Sequence, residues 1–248
     1  MDSIIMPKIN LERIAHVYYT HKDIHAAQQF LEDFGLEECK RVGNKTYYKG
    51  YGREPFLYCA TEGAEAQFGG VAFVVETIED LELAAKTIPG ASEISEMSDA
   101  PGGGKRVTFH DPVDGFPFHL VFGQTLLEEE TVLPELELNF VLLLSINWAI
   151  SACPKAHVHH SSFETHDFDS QVLGHDWLRT KGYENCWGVG RHVMGSQIFD
   201  YWFDTSRFIV EHYADGDLCD DTQETVVAQA SEDNLHVWGP DLPPTFLA

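Results

Sequence analysis

The sequence repeats a strand–helix–strand–strand pattern three times, and this periodicity constrains the fold more than any other feature. The first repeat begins with the alternating, strand-like segment 11–20, LERIAHVYYT, followed by an amphipathic helical segment at 23–34 and by short strand-like segments. The second repeat begins at residue 68 and the third at residue 156, each with a strand-like segment before a helical one. Recurrence at this spacing is typical of modules that bury their helical faces by pairing.

The repeats predict an α+β fold in which paired βαβββ modules form curved, partly open sheets. We expect the first two repeats to pair into an N-terminal domain over residues 9–124, and residues 156–248 to form a C-terminal module with a tail. Between them, residues 125–155 contain the apolar run FVLLLSINWAI. This segment has neither the turn residues of a linker nor the length of a repeat, so we interpret it as an irregular junction.

The charge balance argues against two classes of partner. The 248 residues include 40 acidic and 16 basic side chains, which gives a net charge of -24. Phosphate backbones and anionic membrane surfaces would repel such a chain, so we expect neither nucleic acid nor a membrane as a partner. The five cysteines are scattered and form no C-x-x-C pair, as is typical of a reducing compartment. Together with the lack of a recognisable signal peptide, this favours a cytoplasmic protein.

The third repeat opens with a cluster of histidines in the segment AHVHHSSFE, residues 156–164. Because side chains alternate along a strand, His159 and His160 are expected on opposite faces, with Phe163 on the face of His159. Phe163 would pack against the helix of its own repeat, which leaves His160 in the open cleft. Imidazole commonly binds divalent metals, although a single strand histidine is more often packed or solvated.

A second motif lies downstream, in the stretch GVGRHVMGSQIFDYWFDTSRFIVEHY. Its spaced residues are Gly190, His192, Tyr201, Asp204 and Glu211. Together with the histidine pair and the βαβββ modules, this stretch resembles the vicinal oxygen chelate superfamily, and within it the type I extradiol ring-cleaving dioxygenases. The resemblance covers roughly residues 10–124 and 156–248.

The resemblance implies a metal site. Members hold Fe(II), occasionally Mn(II), with two histidines and one carboxylate, and His160 and Glu211 match two of these three ligands. His192 and Tyr201 match the catalytic residues beside the metal, where the tyrosine hydrogen-bonds a substrate hydroxyl and the histidine stabilises charge near the oxygen. The implied substrates are O2 and a small aromatic diol, a catechol or a trihydroxylated ring.

The resemblance also implies a missing part, because full-length enzymes of this type have four modules. Their first metal histidine comes from the third module, which this chain lacks. By repeat symmetry, His16 occupies the position of that ligand in the first repeat, which makes it a candidate third ligand. His119 occupies the position of Glu211, but Gly70 replaces the second histidine, so a separate His16–His119 site would have at most two ligands.

Three residues around the tyrosine depart from the family pattern. Asp200 replaces an apolar residue, Thr205 replaces a proline and Arg207 replaces a glycine. If the turn requires a positive φ at residue 207, loss of the glycine costs about 1 kcal/mol.

Two functional hypotheses follow. In the first, the chain is a Fe(II)-dependent extradiol dioxygenase whose metal site is completed from elsewhere, for example across a homodimer interface. In the second, it is a truncated, catalytically inactive relative that acts as a binding protein or is a gene remnant. Another activity of the same superfamily, such as an isomerase or lyase, is a third alternative. Since the third repeat lacks an intramolecular partner and would expose a sheet face, we also expect a homo-oligomer.

Overall fold

The computed structural model describes residues 8–128, the backbone of residues 144–145, and residues 157–217 and 235–246. The three predicted repeats follow one another along the chain. The first consists of β1 (Leu11–His21), α1 (Ile24–Asp33), β2 (Glu37–Val42), β3 (Lys45–Lys49) and β4 (Tyr58–Glu62). The second consists of β5 (Gln67–Val75), α2 (Ile78–Thr87), β6 (Ser95–Glu96), β7 (Lys105–His110) and β8 (Pro117–Phe122).

The third repeat is preceded by a two-residue strand, β9 (Leu144–Ser145). It consists of β10 (His160–Glu164), α3 (Phe168–Thr180), β11 (Asn185–His192), β12 (Ile198–Phe203) and β13 (Ile209–Ala214), and the tail adds β14 (His236–Trp238). The sequence predicted the strand before α3 and the strand pair after it, but not β11. Gly188 and Gly190 lie within β11, and glycine weakens the sequence pattern of a strand.

The first two repeats form one eight-stranded sheet, in the order β2-β3-β4-β1-β5-β8-β7-β6. At its centre β1 and β5 are antiparallel. Each has a parallel partner on its outer side, β4 beside β1 and β8 beside β5. The two repeats therefore pair through their first strands, and the predicted α+β fold of paired βαβββ modules is confirmed.

The third repeat forms a six-stranded sheet, in the order β14-β11-β12-β13-β10-β9. β10 is parallel to β13 as β5 is to β8, and β9 is antiparallel to β10 in the place that β1 holds beside β5. Within the described residues, the partner position of this sheet is therefore held by β9 alone. β9 lies in the segment that the sequence identified as an irregular junction.

The chain divides into two compact units. The first unit comprises residues 1–24 and 37–131, and the second comprises residues 25–36 and 132–248. α1 therefore belongs to the unit of the third repeat, although it follows the first strand of the chain. The domain boundaries at 9–124, 125–155 and 156–248 stay a prediction.

The helices of the described residues are short and amphipathic. α1 and α2 have 10 residues each and α3 has 13. In α2, Leu81 and Ala84 lie three residues apart on one face and pack with Val75, Val107 and Leu120 of the sheet. In the part of the chain that the structure describes, no helix combines the length and the apolar character needed to cross a membrane.

α1 packs against β10 and β13 of the second unit. Phe34, just after the helix, is fully buried. Its ring stacks on His212 with centroids 3.7 Å apart and meets Phe163 edge-on at 5.8 Å. The Phe34 carbonyl accepts a hydrogen bond from His212 Nε2 at 2.8 Å, and the Tyr183 hydroxyl donates to Asp33 at 2.8 Å. α1 and Phe34 are therefore part of the core of this unit.

These contacts add to the expectation for Phe163. Its packing against the helix of its own repeat, α3, stays a prediction, and the aromatic ring that it meets is Phe34, which follows α1. The buried positions of α3 are Gln171, Gly174 and Leu178, which offer no aromatic ring. The sheet face that carries Phe163 is therefore covered in part by an element from a distant part of the sequence.

Replacing Phe34 with alanine should destabilise the second unit, because it removes a buried ring from between His212 and Phe163. Such substitutions cost about 3–5 kcal/mol. All five tryptophans lie in residues 132–248, so denaturant unfolding followed by tryptophan fluorescence reports on this unit. Phe34→Leu keeps most of the buried volume and should cost less. An unchanged midpoint in Phe34→Ala would mean that this packing does not stabilise the unit.

Candidate active site

Three neighbouring strands bring the predicted site residues onto one face of the second sheet. In the strand register, Glu211 on β13 lies between Ser162 on β10 and Tyr201 on β12. Directly paired residues project to the same face, and His160 shares it because it lies two residues before Ser162. The ring centroids of His160 and Tyr201 are 5.1 Å apart. The predicted His160, Glu211 and Tyr201 are therefore neighbours.

His160 and Glu211 face each other in the interior of the unit. His160 Nε2 lies 3.3 Å from Glu211 Oε2, and the two side chains are 4% and 0% exposed. Among the residues that the structure describes, neither this nitrogen nor either carboxylate oxygen has a hydrogen-bond partner. Since a buried carboxylate without a partner is costly, the geometry favours a cation or a proton between the two side chains.

The donor atoms fit a divalent metal in kind, because imidazole nitrogen and carboxylate oxygen form the two-histidine, one-carboxylate sites of non-haem iron. His160 and Glu211 supply two such ligands. Over residues 8–128, 157–217 and 235–246, no group of three or more histidine, cysteine, aspartate or glutamate side chains could hold a metal ion. The described residues therefore bring together two of the three ligand types that the resemblance implies.

The strand register shows which residues of the two sheets are equivalent. In the first sheet, Ala72 on β5 pairs with His119 on β8. In the second sheet, Ser162 on β10 pairs with Glu211 on β13. The two pairs occupy the same place in the repeat, as the sequence comparison of His119 with Glu211 predicts.

This equivalence locates the position in the second sheet that corresponds to His16. Across the antiparallel pair at the centre of the first sheet, Ala72 lies opposite His16. Across the corresponding pair in the second sheet, Ser162 lies opposite Ser145. Position 145 is therefore the register equivalent of His16, and serine occurs there instead of histidine.

The candidate ligand His16 makes its contacts within the first unit. Its Nε2 is hydrogen-bonded to the Tyr18 hydroxyl at 2.8 Å. His119 uses both ring nitrogens, Nε2 at 2.9 Å from the Gly69 carbonyl and Nδ1 at 2.9 Å from the Thr108 hydroxyl. Burial lowers the pKa of His16 well below its usual value and that of His119 to about 4. Both are therefore neutral, packed histidines, and the separate His16–His119 site stays a prediction.

His192 and Tyr201, the predicted catalytic residues, are hydrogen-bonded to each other. His192 Nε2 lies 2.9 Å from the Tyr201 hydroxyl, and His192 Nδ1 lies 2.8 Å from the Leu235 carbonyl. Because a carbonyl only accepts, Nδ1 carries the proton of the neutral ring and the hydroxyl donates to Nε2. Burial, reinforced by the Glu211 carboxylate, raises the pKa of Tyr201 well above its usual value, and burial lowers the pKa of His192. The pair is a phenol donating to a neutral imidazole.

The Gly-x-His spacing of the motif has a steric cause. A Cβ atom on Gly190 would lie 2.8 Å from the carbonyl oxygen of Trp238 and would also collide with the Phe199 ring. Without a side chain at this position, β14 can pair with β11 next to His192. Glycine at residue 190 therefore allows the C-terminal segment to approach the site.

The C-terminal segment, residues 235–246, lies against the site residues through Phe246. The ring of Phe246 packs edge-on against Tyr201 at 4.7 Å and against His159 at 4.6 Å. Its carbonyl accepts a hydrogen bond from His159 Nε2 at 2.8 Å. An aromatic ring thus lies next to the face on which a planar substrate would bind.

His159 also differs from the expectation. Strand alternation placed it on the face opposite to His160, but the two Nδ1 atoms lie 2.6 Å apart. The regular strand β10 begins only at His160, so the alternation does not extend back to His159. Burial lowers the pKa of His159 to about 4, and its ring is neutral at physiological pH. In the sequence, the adjacent pair of histidines was the feature that pointed to this contact.

The departure at Asp200 is compensated by three donors. The side chain is fully buried. Its Oδ1 accepts hydrogen bonds from His175 Nδ1 at 3.0 Å and Asn185 Nδ2 at 2.9 Å, and its Oδ2 accepts one from Trp202 Nε1 at 2.7 Å. Burial raises the pKa of Asp200, and the hydrogen bond to Asp200 raises the pKa of His175. A hydrogen bond from His175 on α3 to Asp200 on β12 thus takes the place of the apolar contact that the family pattern implies.

The turn at Arg207 requires a positive φ, as the glycine of the family pattern implies. Arg207 has a φ of 71°. Its guanidinium pairs with Glu184 and lies over the Phe203 ring at 3.8 Å. These contacts offset part of the backbone strain. Thr205, the other departure in this turn, is exposed.

The hydrogen bond between His175 and Asp200 should make stability depend on pH. Because the pKa of His175 is raised in the folded state, its contribution is fully present below the unfolded value, about 6.5, and is lost as pH rises through the folded value. The difference in unfolding free energy between the wild type and His175→Gln should therefore shrink as pH rises. Equilibrium urea unfolding from pH 5 to pH 9 measures it.

The control for this experiment is His166→Gln, because the His166 side chain is 70% exposed. That substitution should leave the free energy of unfolding nearly unchanged throughout. A difference for His175→Gln that is constant or grows with pH would contradict the assignment.

Comparison with curated sequences gives one partial match. No protein-family model matches the chain. The chain is 36% identical over 90 residues to metapyrocatechase 2 of Cupriavidus necator. The match covers 36% of this chain and 28% of that protein, so the chain spans less than a third of the relative's length.

Comparison with solved structures covers nearly the whole chain. The Mn(II)-bound glyoxalase of Novosphingobium aromaticivorans aligns with a TM-score of 0.83 and 19% identity, over 97% of this chain and 95% of that one. The anaerobic complex of homoprotocatechuate 2,3-dioxygenase of Brevibacterium fuscum with 3,4-dihydroxyphenylacetate aligns with a TM-score of 0.80 and 18% identity, over 98% and 93%. The chain therefore has the vicinal oxygen chelate fold that these glyoxalase and extradiol dioxygenase structures share.

Proposed function

We propose that the chain is an Fe(II)-dependent extradiol dioxygenase that opens a catechol or a trihydroxylated aromatic ring with O2. One observation carries the proposal: the buried His160 Nε2 and both oxygens of Glu211 have no hydrogen-bond partner among the described residues. Buried polar atoms are almost always paired, and here three of them lie on two side chains that face each other, which favours a bound cation. The partial match to a metapyrocatechase and the fold of a catechol-type dioxygenase support the choice of chemistry.

In this proposal His160 Nε2 and the Glu211 carboxylate hold the metal. Fe(II) is the first choice, and Mn(II) is the alternative, since a structural neighbour is a Mn(II)-bound glyoxalase. A bound divalent metal would supply adjacent coordination positions for the two oxygens of an aromatic diol and for O2. The low exposure of both side chains would keep water from competing with the substrate.

Tyr201 and His192 would handle the protons of the diol. The Tyr201 hydroxyl, kept protonated by its raised pKa, can donate a hydrogen bond to a substrate oxygen. Because the Leu235 carbonyl holds the ring proton on Nδ1 of His192, Nε2 can accept a proton from the substrate once the Tyr201 hydroxyl turns from Nε2 to the substrate oxygen. The imidazolium that results would stabilise negative charge on the neighbouring oxygen.

A second candidate function is that of a catalytically inactive relative that binds small molecules. The observation that favours it is the incomplete ligand set, because residue 145 is serine at the register position of His16. Two protein ligands hold a divalent ion more weakly than three. In this case His160 and Glu211 would be a remnant of a metal site, and binding would replace turnover.

Iron content separates the two candidates. We expect about one iron per chain after anaerobic reconstitution with Fe(II), and near-complete loss in His160→Ala, because that variant removes one of two ligands. His157→Ala is the matched control, since His157 is exposed in the same segment, and it should keep the iron. Oxygen uptake with catechol should follow the iron content of the three proteins. A wild type that retains no iron would favour the inactive relative.

A histidine at position 145 should strengthen metal binding. By the register equivalence with His16, position 145 pairs with Ser162, the residue that pairs with Glu211, so a histidine there would complete the set of two histidines and one carboxylate. We expect Mn(II) to bind at least tenfold more tightly to Ser145→His than to the wild type, a gain of about 1.4 kcal/mol. Isothermal titration calorimetry measures this. Leu144→His, one residue earlier and on the other face of the strand, should give no gain. Equal affinities in both variants would contradict the equivalence.

A further inference from the structure

A chain of hydrogen bonds leads from the C-terminal segment to the proposed metal ligand. The Phe246 carbonyl lies 2.8 Å from His159 Nε2, and His159 Nδ1 lies 2.6 Å from His160 Nδ1. His160 Nε2, at the other side of its ring, faces Glu211 at 3.3 Å. We propose that His159 is a positioning residue which, held by the Phe246 carbonyl, fixes the ring proton of His160 on Nδ1 and keeps Nε2 free for a cation.

The direction of these hydrogen bonds follows from which atoms can donate and which can only accept. The Phe246 carbonyl can only accept, so His159 Nε2 must carry the proton that lies between them. A neutral imidazole has one N–H group, and His159 Nδ1 is therefore an acceptor. The short contact between the two Nδ1 atoms then requires His160 Nδ1 to be the donor. His160 Nε2 is left with its lone pair exposed toward Glu211.

If the ring proton of His160 is assigned to Nε2 instead, a lone pair of His159 Nε2 faces a lone pair of the Phe246 carbonyl. If His160 carried its proton on Nε2, its Nδ1 would need a proton from His159 Nδ1. His159 Nε2 would then face the Phe246 carbonyl at 2.8 Å with no proton between them. Burial makes this costly, because His159 is 8% exposed and His160 is 4% exposed, so water cannot easily replace the lost hydrogen bond.

The arrangement prepares the site for a positive charge. Two acceptors, His160 Nε2 and Glu211 Oε2, lie close together, and a divalent ion between them satisfies both. Only the identification of that ion as a metal rests on the proposed function. The proton positions themselves depend only on the hydrogen bonds of the metal-free protein. The consequence is that the C-terminal segment takes part in setting the ligand properties of His160.

The proton positions can be measured in metal-free protein labelled with nitrogen-15 histidine. Long-range proton–nitrogen correlation spectra distinguish protonated from bare ring nitrogens, and loss of signals in His160→Gln assigns the residue. We expect His160 to be protonated on Nδ1 and bare on Nε2. A wild-type His160 that is protonated on Nε2 and bare on Nδ1 would overturn the proposal, whether or not the protein binds metal.

Three variants test the origin of this preference. His159→Phe removes both hydrogen bonds and should move the His160 proton toward Nε2, whereas His159→Asn keeps an acceptor and should restore the wild-type form at least in part. Phe246→Leu keeps the backbone carbonyl and should leave the wild-type proton positions unchanged. An unchanged His160 spectrum in His159→Phe would overturn the role of His159.

Metal affinity gives a second readout that separates this inference from the proposed function. We expect His159→Phe to weaken Mn(II) binding by about 10–100-fold, the range for partners that orient a metal ligand. His159→Asn should recover part of the loss. Equal affinity of His159→Phe and the wild type would overturn the positioning role. If the wild type binds no Mn(II), the metal proposal fails, and the spectra alone decide the hydrogen-bond chain.

Discussion

The buried carboxylate of Glu211 is the constraint on which the site depends. It lies on β13, between the strands that carry His160 and Tyr201, and its side chain is fully buried. Removing a carboxylate from water costs several kcal/mol unless a charge or hydrogen bonds compensate for it. Among the described residues, His160 is the ligand-type side chain that faces it at short range, and no hydrogen bond joins them. The proposed metal would compensate for this cost.

The C-terminal segment organises the residues around this carboxylate through its backbone carbonyls. Leu235, Pro240 and Phe246 accept hydrogen bonds from His192, Trp187 and His159, each at 2.8 Å. A carbonyl cannot donate, so the contacts of the two histidines fix which ring nitrogen carries the proton. One segment thereby sets His192 as a proton acceptor toward Tyr201 and leaves His160 with a free nitrogen. The approach of the segment depends in turn on the missing side chain of Gly190.

The sequence predicted the features that follow from local patterns. Strand alternation predicted the face of His160, and the family resemblance implied His192, Tyr201 and Glu211, which the strands bring close to His160. Two features depend on tertiary contacts and could not be predicted from the sequence. α1 belongs to the second unit, where Phe34 stacks on His212. His159 does not follow the strand alternation because it precedes β10. The position of the missing ligand was hidden because residue 145 is a serine in an apolar segment, and only the strand register relates it to His16.

The most direct test of this account is an anomalous-diffraction experiment on crystals of the chain grown anaerobically with Mn(II). The account predicts one strong anomalous peak between His160 Nε2 and the Glu211 carboxylate, within coordination distance of both. A map without a peak there, in which Glu211 instead forms a direct hydrogen bond with a protonated His160, would contradict it.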